Sequence, residues 1–470
     1  MAERMPFVHP YMPNSVPETK NEMLNAIGVK DVDELFEQIP ERLRFRKKLN
    51  LPEPIVAQSS LKKHLTAILS KNKTCEENLN FLGAGCWQHY VPAVCDEIAG
   101  RSEFLMAIWG SSSSDHGRNQ AWFEFCSQMG ELLNMDMVGM TVYSWGTAAS
   151  FAIRMASRMT GRREVLVPEI ICPERLEVIK SFCEPKAMPN HIDIKSVGYN
   201  PKTGLLDLKD LKDKISSKTA AVYFENPSYL GFIEPQGAKI SDIAHANGAE
   251  CIVGVDPISL GVLAAPSDYG ADIAVGPTQP LGIHMNCGGG VGGFIASRDE
   301  ERYVREYPTL MFSITETSEK GEHAFALAFE DQCSYALRDK AKDWTGCTVY
   351  LWQIVNAVYM ALMGPQGFKE IGEYIIQMSH YAMKLLSEIK GVKITFSPNS
   401  FKEFVVNFDG TGKKVKDINR ALLRYNIFGG KDISKEFPAL GNSSLYCVTE
   451  IHSREDIERL ADALKEVLEK

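Results

Sequence analysis

Apolar and polar positions along this chain follow two rhythms. From about residue 81 to 330, short apolar runs alternate with stretches of helical spacing. The runs are Glu164-Val-Leu-Val167, Ala220-Ala-Val-Tyr-Phe224, Cys251-Ile-Val-Gly-Val255 and Asp272-Ile-Ala-Val275. Runs of that length, rich in β-branched residues and without alternation, predict strands buried on both faces. Between two of them, Ser241-Asp-Ile-Ala-His-Ala-Asn247 followed by Gly248 reads as a helix with a serine N-cap and a glycine stop. Strand, helix, strand at this spacing predicts an α/β fold with a mostly parallel sheet and crossover helices.

The two ends of the chain have a different texture. Residues 1–80 read as a polar helical arm punctuated by Pro10, Pro13, Pro17, Pro40, Pro52 and Pro54. Within it Asp31 opens a helical spacing that Pro40 stops. Such an arm either wraps a neighbouring subunit or lies as a lid on its own domain. From about 345 a long helical stretch over 349–362 runs into Gly364-Pro-Gln-Gly367, and a second helix follows. The strands Lys393-Ile-Thr-Phe396 and Glu403-Phe-Val-Val-Asn-Phe408 and a closing helix over 453–468 make this tail an α+β small domain. The expected layout is an arm at 1–80, a large α/β domain at 81–344 and a small domain at 345–470.

Composition narrows the function classes. The chain has 470 residues, 44% hydrophobic and 24% charged, so a sizeable core is within reach. A net charge of −9 without a long basic run argues against a nucleic-acid partner. Eleven cysteines, none in C-x-x-C spacing, fit reduced thiols in a cytoplasm and predict no metal site. No stretch approaches the ~18 uninterrupted apolar residues of a membrane span. The first residues lack the apolar core of a signal peptide.

Candidate chemistry gathers at the ends of the apolar runs. Tyr143-Ser-Trp-Gly146-Thr147-Ala148 introduces a helix, and a Gly-Thr turn there offers N–H groups and a hydroxyl to an anion such as a cofactor phosphate. Equally, Thr147 caps the helix and Gly146 permits the turn. Asp256 at a strand end could face a pyridinium nitrogen or stabilise an Asp-Pro turn. Asn226-Pro227 could set an amide near a ring hydroxyl or stop a strand. The run Ser111–Ser114 with Asp115 and His116 lacks an oxyanion-hole context and reads as a loop.

With Val253-Gly-Val-Asp256-Pro-Ile-Ser-Leu-Gly261 and Ala271-Asp-Ile-Ala-Val-Gly276, the chain resembles fold-type-I pyridoxal-phosphate (PLP) enzymes. In that fold an aspartate ends one strand and a cofactor-anchoring lysine follows a later one. Here the later strand runs into Pro277-Thr-Gln279-Pro280, with no amine where the anchor belongs.

Over nearly its whole length the chain is also similar to the alpha subunit of two-subunit decarboxylating glycine dehydrogenase, the P-protein of the glycine cleavage system. The resemblance rests on Tyr11-Met-Pro-Asn14, Met23-Leu-Asn-Ala-Ile-Gly-Val29, Leu49-Asn-Leu-Pro52, Phe81-Leu-Gly-Ala-Gly85 with His89-Tyr90, Arg101-Ser-Glu-Phe104, and the Asp256 segment. It implies a PLP-transferase fold and a partner beta subunit that carries PLP and its lysine, in an α2β2 complex. The implied reaction decarboxylates glycine and passes the aminomethyl group to the lipoyl arm of the H-protein. The alpha subunit would shape the entrance of the partner's site.

Gly146, Thr147, Asp256 and Asn226 are then candidate or vestigial cofactor contacts, and no residue is singled out as catalytic. Entrance candidates are His89, Trp109, Ser112, His116, Ser144, Trp145, Gln279 and Arg338. The chain departs from the family at 108–116, at 143–148, at 288–291, where an imidazole is lost, and at 342–344. Scaffold kept and polar loops changed together suggest a paralogue acting on a different amino acid or amine. A non-catalytic scaffold subunit and, last, an independent PLP enzyme using another lysine are the remaining alternatives.

Overall fold

In the computed structural model, residues 8–9, 11–47, 49–104, 116–286, 290–332, 334–346, 349–396 and 399–469 are described. The chain divides into two compact units, 1–72 and 73–470.

The first unit is built of short pieces. Helices Pro17–Ile27 and Gln58–Leu69 are joined by 3-10 turns at Val32–Phe36 and Glu41–Leu43. The Asp31 carboxylate accepts from the amides of Asp33 and Glu34, so the sequence's Asp start is real. It opens a single 3-10 stretch and no longer helix. Leu24 is the one buried apolar side chain among the unit's described residues, while Tyr11, Phe45, Leu51 and Val56 stand more than 60% exposed.

The second unit is organised by a seven-stranded sheet. Its strands are β1 (Met137–Val138), β2 (Glu164–Pro168), β3 (Asp193–Val197), β4 (Thr219–Glu225), β5 (Glu250–Gly254), β6 (Ile273–Pro277) and β7 (Gly293–Ser297). The spatial order is β1-β7-β6-β5-β4-β2-β3. All neighbours pair in parallel except those of β7, which runs against both β6 and β1. The four apolar runs of the sequence are β2, β4, β5 and β6, every residue of each buried.

Alternate residues of one strand feed two cores, as a period of two requires. Leu166, Val222 and Val253 join Phe125, Met129 and Tyr359 on one face. Val165, Tyr223 and Ile252 join the helix Trp145–Thr160 on the other.

Two sequence expectations shift. The helix before β5 spans Gly237–Ala246, so Ser241 lies inside it, against the Cys251 thiol at 3.1 Å, and does not cap it. Its glycine stop stands, with Gly248 at φ +64°. The long tail helix runs Tyr350–Ser387, bent where Gly364 adopts φ 56° ahead of Pro365.

Beyond it lies a small antiparallel sheet of β8 (Lys393–Thr395), β9 (Glu403–Asn407), β10 (Lys431–Asp432) and β11 (Ser443–Cys447), ordered β8-β9-β11-β10. The closing helix, Arg454–Glu469, packs Ile457, Leu460 and Leu464 into the core that Phe404 and Val406 of β9 enter.

Candidate functional site

The carboxyl ends of β4, β5 and β6 face the start of β9, and the site forms there. In open α/β sheets this edge is where ligands bind, because side chains from several strands converge on it. Gly231 sets the approach of the two parts of the unit. At φ +91° it lets its carbonyl accept from the Phe401 amide, and a Cβ there would lie 1.9 Å from the Glu403 carbonyl oxygen. Only glycine fits, and Lys402 and Glu403 are thereby held over the ends of the central strands.

Asp256 follows β5 and is 3% exposed. One carboxylate oxygen accepts from the Ile258 amide at 3.1 Å, and the other meets the Lys402 ammonium at 2.7 Å. That ammonium also sits 3.4 Å from the ring centre of Trp87 and 3.1 Å from Nε2 of His89. Nδ1 of His89 meets Glu450 at 2.7 Å, and Glu450 accepts from the Tyr90 amide as well. Burial works against ionising Glu450, but His89 and the Tyr90 amide outweigh it and hold the carboxyl down to about 2. Beside Lys402, burial pushes Glu403 up to about 7 despite a hydrogen bond from the Ala84 amide.

A second buried cation lies next to the first. Arg175 stacks on Trp145, its guanidinium carbon 3.4 Å from the ring centre, and pairs with Glu225 at 3.1 Å. Glu225 also accepts from the Tyr223 hydroxyl at 2.7 Å, and burial raises its pKa even with Arg175 alongside. The rings of Trp87 and Trp145 tilt together at 6.3 Å. Lined by Trp87, Trp145, Arg175, Asp256, Lys402 and Glu403 among others, the remaining cavity is about 20 Å³. That is room for roughly one water-sized sphere.

The candidate cofactor contacts are brought to this one region and turned toward the protein itself. Thr147 donates its amide to the Ser144 hydroxyl at 3.2 Å, and the two hydroxyls meet at 3.0 Å. The helix start is therefore capped from within. Gly146 sits in close helix packing, where a Cβ would meet Val178 at 3.0 Å. Asn226 exchanges hydrogen bonds with the Glu234 backbone. A pyridine ring bearing a phosphate does not fit this arrangement: its aspartate is already paired, its helix start already capped, and its volume filled.

Adjacent to this small pocket is an open crevice of about 850 Å³. His89, Tyr90, Gln279, His284, His452 and Arg459 are among its walls. Two entrance candidates, His89 and Gln279, thus share it. Gln279, two residues beyond β6, is 2% exposed; its amide donates to the Ile283 carbonyl, and its side-chain oxygen has no hydrogen-bond partner.

The other entrance candidates are placed elsewhere. Ser144 caps and Trp145 opens the helix beside the small pocket, and Arg338 is exposed on a 3-10 turn. Trp109 and Ser112 lie outside the described residues, as does the side chain of His116, which opens the helix His116–Leu133. Lys402, Arg175, Trp87, Glu225 and Glu450 escaped the sequence reading. The available signal was Lys402-Glu403, two charges leading directly into an apolar strand.

Sheet order, the aspartate after β5 and the crevice at the strand ends define the fold of the type-I PLP-dependent enzymes. A sphingosine-1-phosphate lyase structure from Burkholderia pseudomallei shares it, with a TM-score of 0.64 at 15% identity over 92% of this chain and 94% of that one. The family described as glycine cleavage system P-protein matches residues 9–464, and the chain belongs to that family.

Among similar proteins, the probable glycine dehydrogenase (decarboxylating) subunit 1 of Staphylothermus marinus is 37% identical over 468 residues, 98% of each chain. The protein of the same description from Pyrococcus abyssi is 37% identical over 461 residues, 97% of this chain and 99% of that one. A crystal structure of the glycine decarboxylase P-protein in inhibitor-bound form matches with a TM-score of 0.86 and 30% identity, covering 98% of this chain and 100% of that chain.

Proposed function

We propose that this chain is the subunit without anchored cofactor of a two-subunit glycine decarboxylase, and that PLP is carried by a second, lysine-bearing subunit. The observation that carries the reading is the pairing of Lys402 with Asp256. Lys402 is the one amine lining the pocket among the described residues, and it lies against the carboxylate that a ring nitrogen would face. It cannot also reach the opposite end of a ring to anchor it. Gln279 offers no amine at the strand end.

PLP, where bound, supplies an electron sink for loss of carbon dioxide from an amino acid. This chain's part is then structural: it bounds an entrance with the crevice residues His89 and Gln279, and it associates with the partner. The 1–72 unit supports association, because an apolar surface so little buried is what obligate interfaces are made from. An α2β2 assembly, transfer of the aminomethyl group to a lipoyl H-protein, and a cytoplasmic location complete the proposal. Among the described residues no helix is long and apolar enough to cross a membrane.

Co-expression with the candidate second subunit, borohydride reduction and peptide mapping test the reading. The pyridoxyl label is expected on the second subunit, together with glycine-dependent release of carbon dioxide by the complex. A label on this chain overturns it. Decarboxylation of another amino acid in place of glycine would favour the altered-substrate alternative, and full activity of the second subunit alone would favour the scaffold.

A further inference from the structure

We propose that Lys402 is a built-in replacement for the positive ring nitrogen of a pyridine cofactor. Its ammonium neutralises Asp256, and Trp87, Trp145 and Arg175 occupy the volume a ring would need. The pocket has become a charged structural core. This deepens the reading above, on which it rests only in taking the fold's aspartate as a former cofactor partner.

Three features of the geometry carry the assignment. Lys402 has no carboxylate closer to its ammonium than Asp256, at 2.7 Å, and both side chains are under 5% exposed. A carboxylate buried to that degree needs a cation or a proton beside it, and a lysine ammonium on a flexible stem supplies a point charge from a distant strand. The ammonium's remaining faces are filled by the Trp87 ring at 3.4 Å and by His89 Nε2 at 3.1 Å. An aromatic face opposite a buried cation is worth most where water is excluded. Finally, Arg175 on Trp145, with Glu225 behind it, forms a second layer of the same kind. Each cation in the pocket thus has an aromatic face and a carboxylate of its own. An accidental filling by apolar side chains would leave Asp256 unmatched; this filling matches it.

The arrangement implies that the cation is replaceable. Truncating Lys402 to alanine removes three carbons and the nitrogen, a void with the outline of propylammonium. In full-length Lys402→Ala the thermal midpoint should fall by about 5 °C, as expected for a buried carboxylate stripped of its partner in a chain this size. Millimolar n-propylamine should recover most of the loss in a saturable way, while n-propanol and the wild-type control should show no recovery.

Should the alanine variant fail to fold, Lys402→Met and Lys402→Met/Asp256→Asn replace it. The double variant should melt above the single, because removing both charges leaves nothing unpaired. Wild-type chain titrated with 4′-deoxypyridoxine 5′-phosphate should show no binding by calorimetry. A Lys402→Met single variant that melts like wild type, equal rescue by propanol, or tight binding of the pyridine phosphate to wild type would each overturn the proposal. None of these readouts uses the partner or glycine turnover, so a failure of decarboxylation in the complex leaves this result unaffected, and the reverse holds.

Discussion

Two hollows lie side by side at the ends of the same parallel strands, and they have opposite character. The pocket under Lys402 retains about 20 Å³ and matches every cation with a carboxylate and an aromatic ring. The crevice at Gln279 keeps about 850 Å³. His89 belongs to both, lining the crevice while contacting Lys402. On the proposal above, protein charge stands in the first hollow where a ligand's charge would.

The comparison breaks most directly at Arg175. Arg175→Ala leaves Glu225 buried beside the Tyr223 hydroxyl without its cation, and chemical denaturation should register a loss of about 4 kcal/mol. A loss below ~1 kcal/mol would mean that water enters the pocket and that it is not sealed.

Glu403 sharpens the same contrast through pH. Its folded value of about 7 lies above the ordinary 4.5 because of burial. The stabilisation from keeping it protonated is therefore complete below pH ~4.5 and is lost as pH rises through about 7. The difference corresponds to about 3 kcal/mol. Glu403→Gln should flatten the stability profile between those limits. Near pH 4.5 the two proteins should unfold alike, and at pH 8 the variant should be the more stable. An unchanged slope would place Glu403 in contact with solvent.

Installing the missing amine tests the sealed pocket from the crevice side. Gln279→Lys should leave the chain colourless in excess PLP, since the ring's place remains filled; a new visible absorption fixed by borohydride would show that the filling yields. The smallest effect belongs to the crevice rim. His284 and Asp96 pair at 3.0 Å but are both more than 60% exposed. His284→Ala should change stability by less than about 0.5 kcal/mol in a thermal melt, and a larger change would mark the rim as part of the core.

Much of this fold was legible in the chain because burial on both faces writes itself locally. β2, β4, β5 and β6 are continuous apolar runs, and Gly248 and Gly364-Pro365 punctuate as such residues must. β3 was missed because an edge strand with burial on few positions carries a weak signal. The hairpin Met311–Glu316 with His323–Ala328 was missed for the same reason. The Ser241 cap was misplaced because a serine inside a helix can bond a core thiol as readily as a serine before one can bond the backbone.

By itself the sequence determined the mostly parallel sheet, an aspartate at the end of β5, and the lack of an amine just after β6. Those features depend on neighbours within a few residues, so periodicity and strand ends reveal them. The tertiary structure decided what became of the aspartate. Lys402 and His89 meet across 313 residues of chain, and Arg175 reaches Glu225 across 50. No local pattern encodes such pairings. They exist because Gly231 admits the Phe401–Glu403 backbone to the sheet's edge and because a buried carboxylate must be neutralised by whichever cation the folded chain delivers.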